Sequence, residues 1–372
     1  MQLEKRLLAC LALSIAATGA GAHAAGSAPF LNKFNTIKSL ASTVPGNGDV
    51  NPYGVAVIGT STGKLVKGNI LVSNFNDAAN QQGTGTTIVE VSPDGHTTQF
   101  AFIDANALPG TCPGGVGLTT ALAVLQRGWV IVGSLPTTDG TSATAQAGCL
   151  IVLNSNGQVA EVFSGNGIDG PWDMTDLDLG GAAILFVTNV LNGDATTGAP
   201  HVVKQGTVLR ITLAVPQQGQ GKPQRVATAT IGSGFPESAD PNALVIGPTG
   251  VGLAPNGTLY VADTLGNRVA AIPNALTRLG SAQTGATVSA GGALNGPLGL
   301  TIAPGGDVIT ANAGDGNLVE TTPAGKQVAV KTVDTATGAG SLFGLAITPQ
   351  YNGVYFVDDG DNTLKLLTSS YE

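Results

Sequence analysis

The chain has 372 residues and a formal net charge of −8, with 54 glycines, 20 prolines and only 11 % charged residues. It has no basic run or basic stripe, which argues against nucleic acid and anionic membrane surfaces as partners. Hydrophobic residues make up 42 % of the chain and lie in short β-rich runs between Gly, Asn, Asp and Pro, so an all-β protein is predicted.

Residues 1–24 have the three parts of a secretory signal peptide. Lys5 and Arg6 precede an apolar run that is too short to span a bilayer, and the small-x-small pattern AHA follows it. No later segment has the ~18 uninterrupted apolar residues of a membrane helix. We therefore expect a soluble, exported protein of the periplasm or the extracellular space, without membrane insertion.

Residues 30–42, FLNKFNTIKSLAS, predict a single strand ahead of a series of repeating units, each with three or four short strands. The six units lie at approximately 51–105, 110–165, 169–235, 243–292, 294–335 and 341–372. Six small sheets that cover one another's faces are the signature of a six-bladed β-propeller, here a single domain over 25–372. The sixth unit ends after its third strand, so residues 30–42 are expected to add the outer strand of the last blade and close the ring.

The last three units share a glycine and a polar position. Gly250, Gly299 and Gly344 align in the first strand of each unit, where backbones would crowd around the propeller axis. A short polar residue ends the second strand, where its side chain can cap the following turn. These residues, to which we assign a structural role, are Asp263, Asn312 and Asp358.

The stretch GLAPNGTLYVADTLGNRVAAI, residues 252–272, resembles an NHL repeat. The resemblance covers about the last third of the chain and is degenerate before that. It implies an NHL-like six-bladed propeller of an exported bacterial type. Such propellers include modules that bind proteins, carbohydrates or RNA, and relatives that act as lactonases, lyases or strictosidine-synthase-like enzymes. The resemblance therefore specifies the architecture and leaves the activity open.

Two cysteines, Cys112 and Cys149, remain after the predicted signal peptide. In an oxidising compartment the simplest interpretation is one disulfide bond between them. The alternative is a pair of free, buried thiols. A metal site is not expected from these cysteines, because only His96 and His201 could add to them, and both histidines are expected at the surface.

One residue of each unit is expected at the start of the innermost strand, on the face where propellers usually carry their sites. These residues are Tyr53, Thr120, Trp172, Thr249, Leu298 and Phe343, and Asp173 follows Trp172. They predict an apolar, aromatic ligand-binding face with one carboxylate. The loops after the second strand are long in the first three units (75–87, 134–148 and 190–206) and lie on the same face, where they are either part of a binding surface or solvated decoration.

Two functions follow, and we favour the first. In the first, a monomeric, non-catalytic module binds a protein, a glycan or a small molecule through its loop-rich face. In the second, the protein is a diverged metal-dependent hydrolase or lyase of the lactonase-like type, with Asp173 as base or metal ligand. Lactonase-like propellers hold a divalent cation with ligands from several blades, whereas Asp173 is the only acid at the six aligned positions. No metal site or cofactor is therefore predicted, and calcium is the cation to consider if one binds.

Overall fold

A computed structural model describes residues 28–192, 201–241, 243–335 and 340–370. The predicted signal peptide at 1–24 lies outside these residues. Within them the chain forms strands β1 to β25 and three short 3₁₀ helices, Leu31–Lys33, Ala105–Ala107 and Ser142–Thr144. None of the helices in this part of the chain is long and apolar enough to cross a membrane.

The strands form six antiparallel sheets in chain order, and the first strand, β1 (Thr36–Ser42), belongs to the last sheet. The first sheet contains β2 (Val50–Val57), β3 (Ile70–Asn76), β4 (Thr87–Val91) and β5 (Thr97–Phe102). The second contains β6 (Leu118–Val124), β7 (Val130–Ser134), β8 (Cys149–Leu153) and β9 (Val159–Phe163). The third contains β10 (Gly170–Asp178), β11 (Ala182–Val190), β12 (Val203–Ala214), β13 (Gln224–Asp240) and β14 (Leu244–Ile246).

The remaining three sheets follow the repeat seen in the sequence. The fourth contains β15 (Pro248–Leu253), β16 (Leu259–Asp263), β17 (Arg268–Ile272) and β18 (Ala286–Ala290). The fifth contains β19 (Pro297–Ile302), β20 (Val308–Asn312), β21 (Asn317–Thr321) and β22 (Gln327–Thr332). The sixth contains β23 (Leu342–Ile347), β24 (Gly353–Asp358), β25 (Thr363–Thr368) and β1.

Each sheet places one strand, the one that begins its repeating unit, at the centre of the molecule; strand β1 lies at the outer edge of the sixth sheet. Strands β2, β6, β10, β15, β19 and β23 contact one another in succession and form a closed ring. Buried apolar side chains fill the spaces between neighbouring sheets. The all-β, six-bladed propeller predicted from the sequence is therefore confirmed.

The ring is closed by the segment that the sequence analysis assigned to this role. Strand β1 pairs antiparallel with β25, and Thr36 lies opposite Thr368. Just before β1, the buried Glu320 carboxylate accepts hydrogen bonds from the backbone N–H groups of Phe30 and Leu31, both at 2.8 Å. The segment 30–42 thus completes the last blade and is also attached to the fifth.

The aligned glycines of the inner strands lie where neighbouring backbones meet. A Cβ atom on Gly344 would come within 2.3 Å of the Tyr53 carbonyl oxygen, and one on Gly299 within 1.8 Å of the Phe343 oxygen. Gly250 has the same relation to the Leu298 oxygen, at 2.4 Å. The close approach of blades at the axis therefore requires glycine at these positions, as the sequence analysis proposed.

The polar residues that end the second strands have the predicted structural roles. The Asp263 carboxylate accepts a hydrogen bond from the Gly266 N–H at 3.0 Å, and that of Asp358 accepts one from Gly360 at 3.1 Å. The Asn312 amide donates to the Ala293 carbonyl at 2.9 Å. These side chains therefore fix the turns and linkers of their blades.

The third sheet differs from the predicted unit. Strand β13 continues past residue 235, and Ser238 pairs with Ile246 so that β14 adds a fifth strand. Residues from 243 onward, which the sequence analysis placed in the fourth unit, thus begin in the third sheet. The resulting β13–β14 hairpin lies over the propeller axis and shapes the candidate site.

Cys112 and Cys149 form the predicted disulfide bond, with Cα atoms 5.2 Å apart. It links the segment before β6 to the first residue of β8 and closes a loop with a sequence separation of 37. Disulfide bonds of this kind persist outside the reducing cytosol.

Candidate functional site

Four of the residues predicted at the starts of inner strands pack together on the axis. The Tyr53 and Phe343 rings stack with centroids 3.9 Å apart, and the Trp172 ring lies 6.3 Å from Phe343. Leu298 belongs to the same buried cluster. We call these four side chains the aromatic plug; each is at most 2 % exposed, so together they close the centre of the propeller.

The β13–β14 hairpin covers the plug on the loop-rich face. The Trp172 Nε1 donates a hydrogen bond to the Val245 carbonyl at 3.0 Å, and Leu244 and Val245 pack in the same cluster as the plug. The predicted face is therefore not open at its centre. Direct contact of these aromatic residues with a ligand stays a prediction, and it requires the hairpin to move.

Asp173 and Thr120 lie on the opposite side of the plug. Both line a cavity of about 370 Å³ inside the ring of inner strands, which we call the lower channel. Thr249 lies elsewhere, since its buried hydroxyl pairs with that of Thr264 at 2.7 Å. The seven residues predicted to form one ligand-binding face therefore lie in different places. The Asp173 carboxylate faces the lower channel and does not lie among the loops.

The Asp173 carboxylate is held by the backbone of two blades. One oxygen accepts a hydrogen bond from the Met174 N–H at 2.8 Å and the other from the Val251 N–H at 3.1 Å. Burial raises the pKa of Asp173 to about 8, although both hydrogen bonds act in the opposite direction. The two N–H donors therefore fix the orientation of the carboxylate and leave each oxygen one further lone-pair direction.

The loop-rich face has a pocket of its own, with a volume of about 500 Å³. We call it the loop-face pocket. It is lined by Val50, Asn51, Asn76, Ala78, Asn80, Gln82, Pro241, Gly340, Asp359 and Asn362. These residues come from the first blade, the β13–β14 turn and the last blade, so the pocket spans the seam of the ring.

The long loops of the first two blades join beside this pocket. The Thr137 N–H donates to the Gly83 carbonyl at 2.9 Å, and the Gln82 amide donates to the Pro241 carbonyl at 2.6 Å. The first loop therefore contacts both the second loop and the hairpin, as a shared loop face requires. Residues 193–200, in the long loop of the third unit, lie outside the described residues.

Several buried oxygen atoms around the loop-face pocket have no hydrogen-bond partner among the described residues. They are Asn51 Oδ1, Asn76 Oδ1, Gln82 Oε1 and the Tyr53 hydroxyl, although the Asn51 side chain lies close enough to the Tyr53 hydroxyl to lower its pKa. Three of them are acceptors, and an acceptor buried without a donor costs about 1–3 kcal/mol. A ligand that donates hydrogen bonds would relieve this cost after a small rotation of the amide side chains.

Asp359 is the only ionisable residue among those that line the loop-face pocket. Burial raises its pKa to about 7, and the nearby Asp358 and Asp334 carboxyls add to the rise. Burial also raises the pKa of Tyr53, and the Asp359 carboxyl adds to the rise. At neutral pH the pocket therefore presents amide groups and a carboxyl that is partly protonated.

Sequence reasoning missed Asp359, Asn51 and Asn76 as site residues. Asp359 belongs to DDGDN, a sequence typical of a tight turn, and Asn51 is the second residue of β2. The one available signal was the position of these polar residues on the same face as the long loops. His96 and His201 are exposed, as predicted.

The residues present do not form the set of carboxylates that calcium favours. Calcium sites use six to eight oxygen ligands, several of them from carboxylates. Among the described residues, no group of three or more His, Cys, Asp or Glu side chains converges. The loop-face pocket offers one carboxyl, and the lower channel offers those of Asp173 and Asp176, which is fewer than such a site needs.

No protein-family model and no curated protein sequence matches the chain. Several solved structures share its fold. A gluconolactonase from Xanthomonas campestris aligns with a TM-score of 0.53 and 13 % identity, over 89 % of this chain and 88 % of that one. Regucalcin, a calcium-binding protein from Agrobacterium tumefaciens, aligns with a TM-score of 0.51 and 13 % identity, over 90 % of this chain and 96 % of that one. A virginiamycin B lyase from Staphylococcus aureus aligns with a TM-score of 0.50 and 13 % identity, over 90 % of this chain and 99 % of that one. At such identities the likeness shows the fold alone, and it supports an NHL-like six-bladed propeller.

Proposed function

We propose that this protein is a binding module whose loop-face pocket takes a neutral, polyhydroxylated ligand of the glycan type. The observation that carries the proposal is the set of buried, unpartnered acceptor oxygens on Asn51, Asn76 and Gln82. A ligand with hydrogen-bond donors would satisfy these atoms, and hydroxyl groups supply such donors without introducing a charge.

The chemistry of the pocket favours hydroxyl groups over an anion or a bare metal ion. Five of the lining residues are Asn or Gln, whose amides both donate and accept and so match neighbouring hydroxyls. No Lys, Arg or His lines the pocket, which disfavours an anionic ligand. The volume of about 500 Å³ lies within the range of small-molecule pockets.

Saturation-transfer NMR with a set of neutral mono- and disaccharides would test the proposal. We expect at least one sugar to bind the wild-type protein and to lose at least tenfold in affinity in Asn76→Leu, which removes the acceptor and keeps the volume. Asn106→Leu, on an exposed turn, is the matched control and should bind normally. Sugars that bind both variants equally, or none that binds the wild type, would contradict the proposal.

A hydrolase or lyase activity at the same pocket is a second candidate. It is favoured by Asp359, because a carboxyl with a pKa of about 7 is suited to general base catalysis near neutral pH. Since one structural neighbour is a gluconolactonase, hydrolysis of glucono-lactone is the first assay. Activity should rise with pH through about 7 and be lost in Asp359→Asn. Calcium is the cation to test in this reaction, and metal analysis of the protein purified without chelator would detect it.

We also propose that the mature protein is exported and works as a monomer outside the cytosol. The disulfide supports a non-reducing compartment, and the pattern at 1–24 supports removal of a signal peptide. N-terminal sequencing of the protein from envelope and medium fractions should give a start at Ala25. A full-length chain in the cytosol would contradict this.

A further inference from the structure

The lower channel is a second cavity that the loop-face pocket does not use. Its walls are the inner strands of all six blades, from Val55 on β2 to Ile347 on β23. The aromatic plug closes its upper end, because Trp172 and Phe343 directly precede lining residues and Tyr53 lies two residues before Val55. The cavity of about 370 Å³ is therefore blind and opens away from the loops.

The charge in the lower channel has one sign. Asp173 and Asp176, both on β10, are the only ionisable residues among those that line it. Burial raises the pKa of Asp176 to about 7, and the next carboxyl along the strand, Asp178, adds to the rise. The five other inner strands contribute no Lys, Arg or His to the lining. Nothing on these walls balances the two carboxylates when they ionise.

The remaining lining side chains are mostly aliphatic. They include Val55, Val57, Leu122, Val124, Leu253, Leu300, Ile302, Leu345 and Ile347. Thr120 also lines the channel; it is 4 % exposed, and its hydroxyl has no hydrogen-bond partner among the described residues. The channel is thus lined by two carboxyls, one unpartnered hydroxyl and aliphatic residues.

We propose that the lower channel binds a short alkylammonium cation. The ammonium group would lie at Asp173, Asp176 and the Thr120 hydroxyl, and the alkyl chain would lie along the aliphatic wall. A divalent metal ion fits less well, because it needs six to eight oxygen ligands and the lining side chains offer few. A neutral apolar molecule would leave both carboxyls without an opposite charge.

Binding should depend on pH in a defined direction. At neutral pH the Asp173 carboxyl is mostly protonated and that of Asp176 is partly protonated, and each must lose its proton to pair with an ammonium group. The affinity for an alkylammonium ion therefore rises by up to about tenfold per pH unit for each proton released, between about pH 6 and pH 8. An apolar ligand held only by the aliphatic wall would show no such dependence.

Isothermal titration calorimetry of the mature protein with n-pentylammonium chloride would test the site, with 1-pentanol as the neutral comparison. We expect pentylammonium to bind more tightly at pH 8 than at pH 6 and to release protons to the buffer. Asp176→Asn should weaken it at least tenfold. Glu161→Gln, on an outer strand, is the matched control and should leave it unchanged.

Three outcomes would overturn the proposal. They are equal binding of 1-pentanol, an unchanged affinity in Asp176→Asn, and an affinity that does not rise with pH. Asp173→Asn serves as a second variant, with its fold checked by circular dichroism because Asp173 also joins two blades. Asp359→Asn should not affect pentylammonium binding, so failure here is distinguishable from failure of the loop-face proposal.

Discussion

Removal of the Cys112–Cys149 disulfide should destabilise the protein by about 4 kcal/mol. The bond closes a loop with a sequence separation of 37, and the chain-entropy relation converts this length into about 13 cal/mol/K, or about 4 kcal/mol at 25 °C. For a chain of roughly 350 residues the unfolding entropy is about 0.7 kcal/mol/K, so the melting temperature should fall by about 5–6 °C. Urea unfolding and calorimetry of a Cys112→Ala/Cys149→Ala double variant measure both quantities.

The same experiment has an internal control. A reductant should lower the stability of the wild-type protein to that of the double variant and should leave the variant unchanged. If the variant is as stable as the oxidised wild type, the loop-closure reasoning is refuted. A loss of much more than 4 kcal/mol would instead show that the bond also supports native packing around β6 and β8.

Three further predictions concern the axis and the buried acids. Gly344→Ala should cost about 2–3 kcal/mol in urea unfolding, because its Cβ would meet the Tyr53 carbonyl oxygen, whereas Gly305→Ala, which meets nothing within 4 Å, should be neutral. Trp172→Phe removes the hydrogen bond to Val245 and should cost about 1–2 kcal/mol and speed hydrogen exchange in the β13–β14 hairpin; unchanged exchange would contradict this. Four carboxyls, those of Asp173, Asp176, Glu237 and Asp359, have a folded-state pKa raised to about 7 or 8. The unfolded chain therefore loses their protons first, and stability should fall as pH rises from about 4 to 8. A urea midpoint higher at pH 8 than at pH 5 would refute that reasoning.

The architecture was predictable because the sequence repeats its local chemistry. The inner-strand glycines, the polar residues that cap the turns and the unpaired strand at 30–42 each require a neighbour in space. Once six units are counted, a ring is the arrangement that satisfies all of them. The exception is β14, which consists of only three residues and pairs with the extended end of β13.

The candidate site was less predictable because bulges decide which way its side chains point. The pairing of β10 with β11 shifts between Pro171 and Met174, and that of β2 with β3 shifts between Pro52 and Val55. A shift in register changes the face on which the following side chains lie. The sequence gives no sign of where these bulges fall, so Asp173 was expected among the loops and lies below the plug.

The pairing of β1 with β25 makes the last blade depend on the two strands that are farthest apart along the described chain. During synthesis β1 emerges first and has no partner until β25 exists, so ring closure must be a late event in folding. A chain that stops before β25 would leave two sheet edges unpaired and exposed to other molecules. Because Thr36 pairs with Thr368, a short linker could join the chain near these two residues. New chain ends could then be opened in a turn between two other blades, and the resulting circular permutant should keep both cavities.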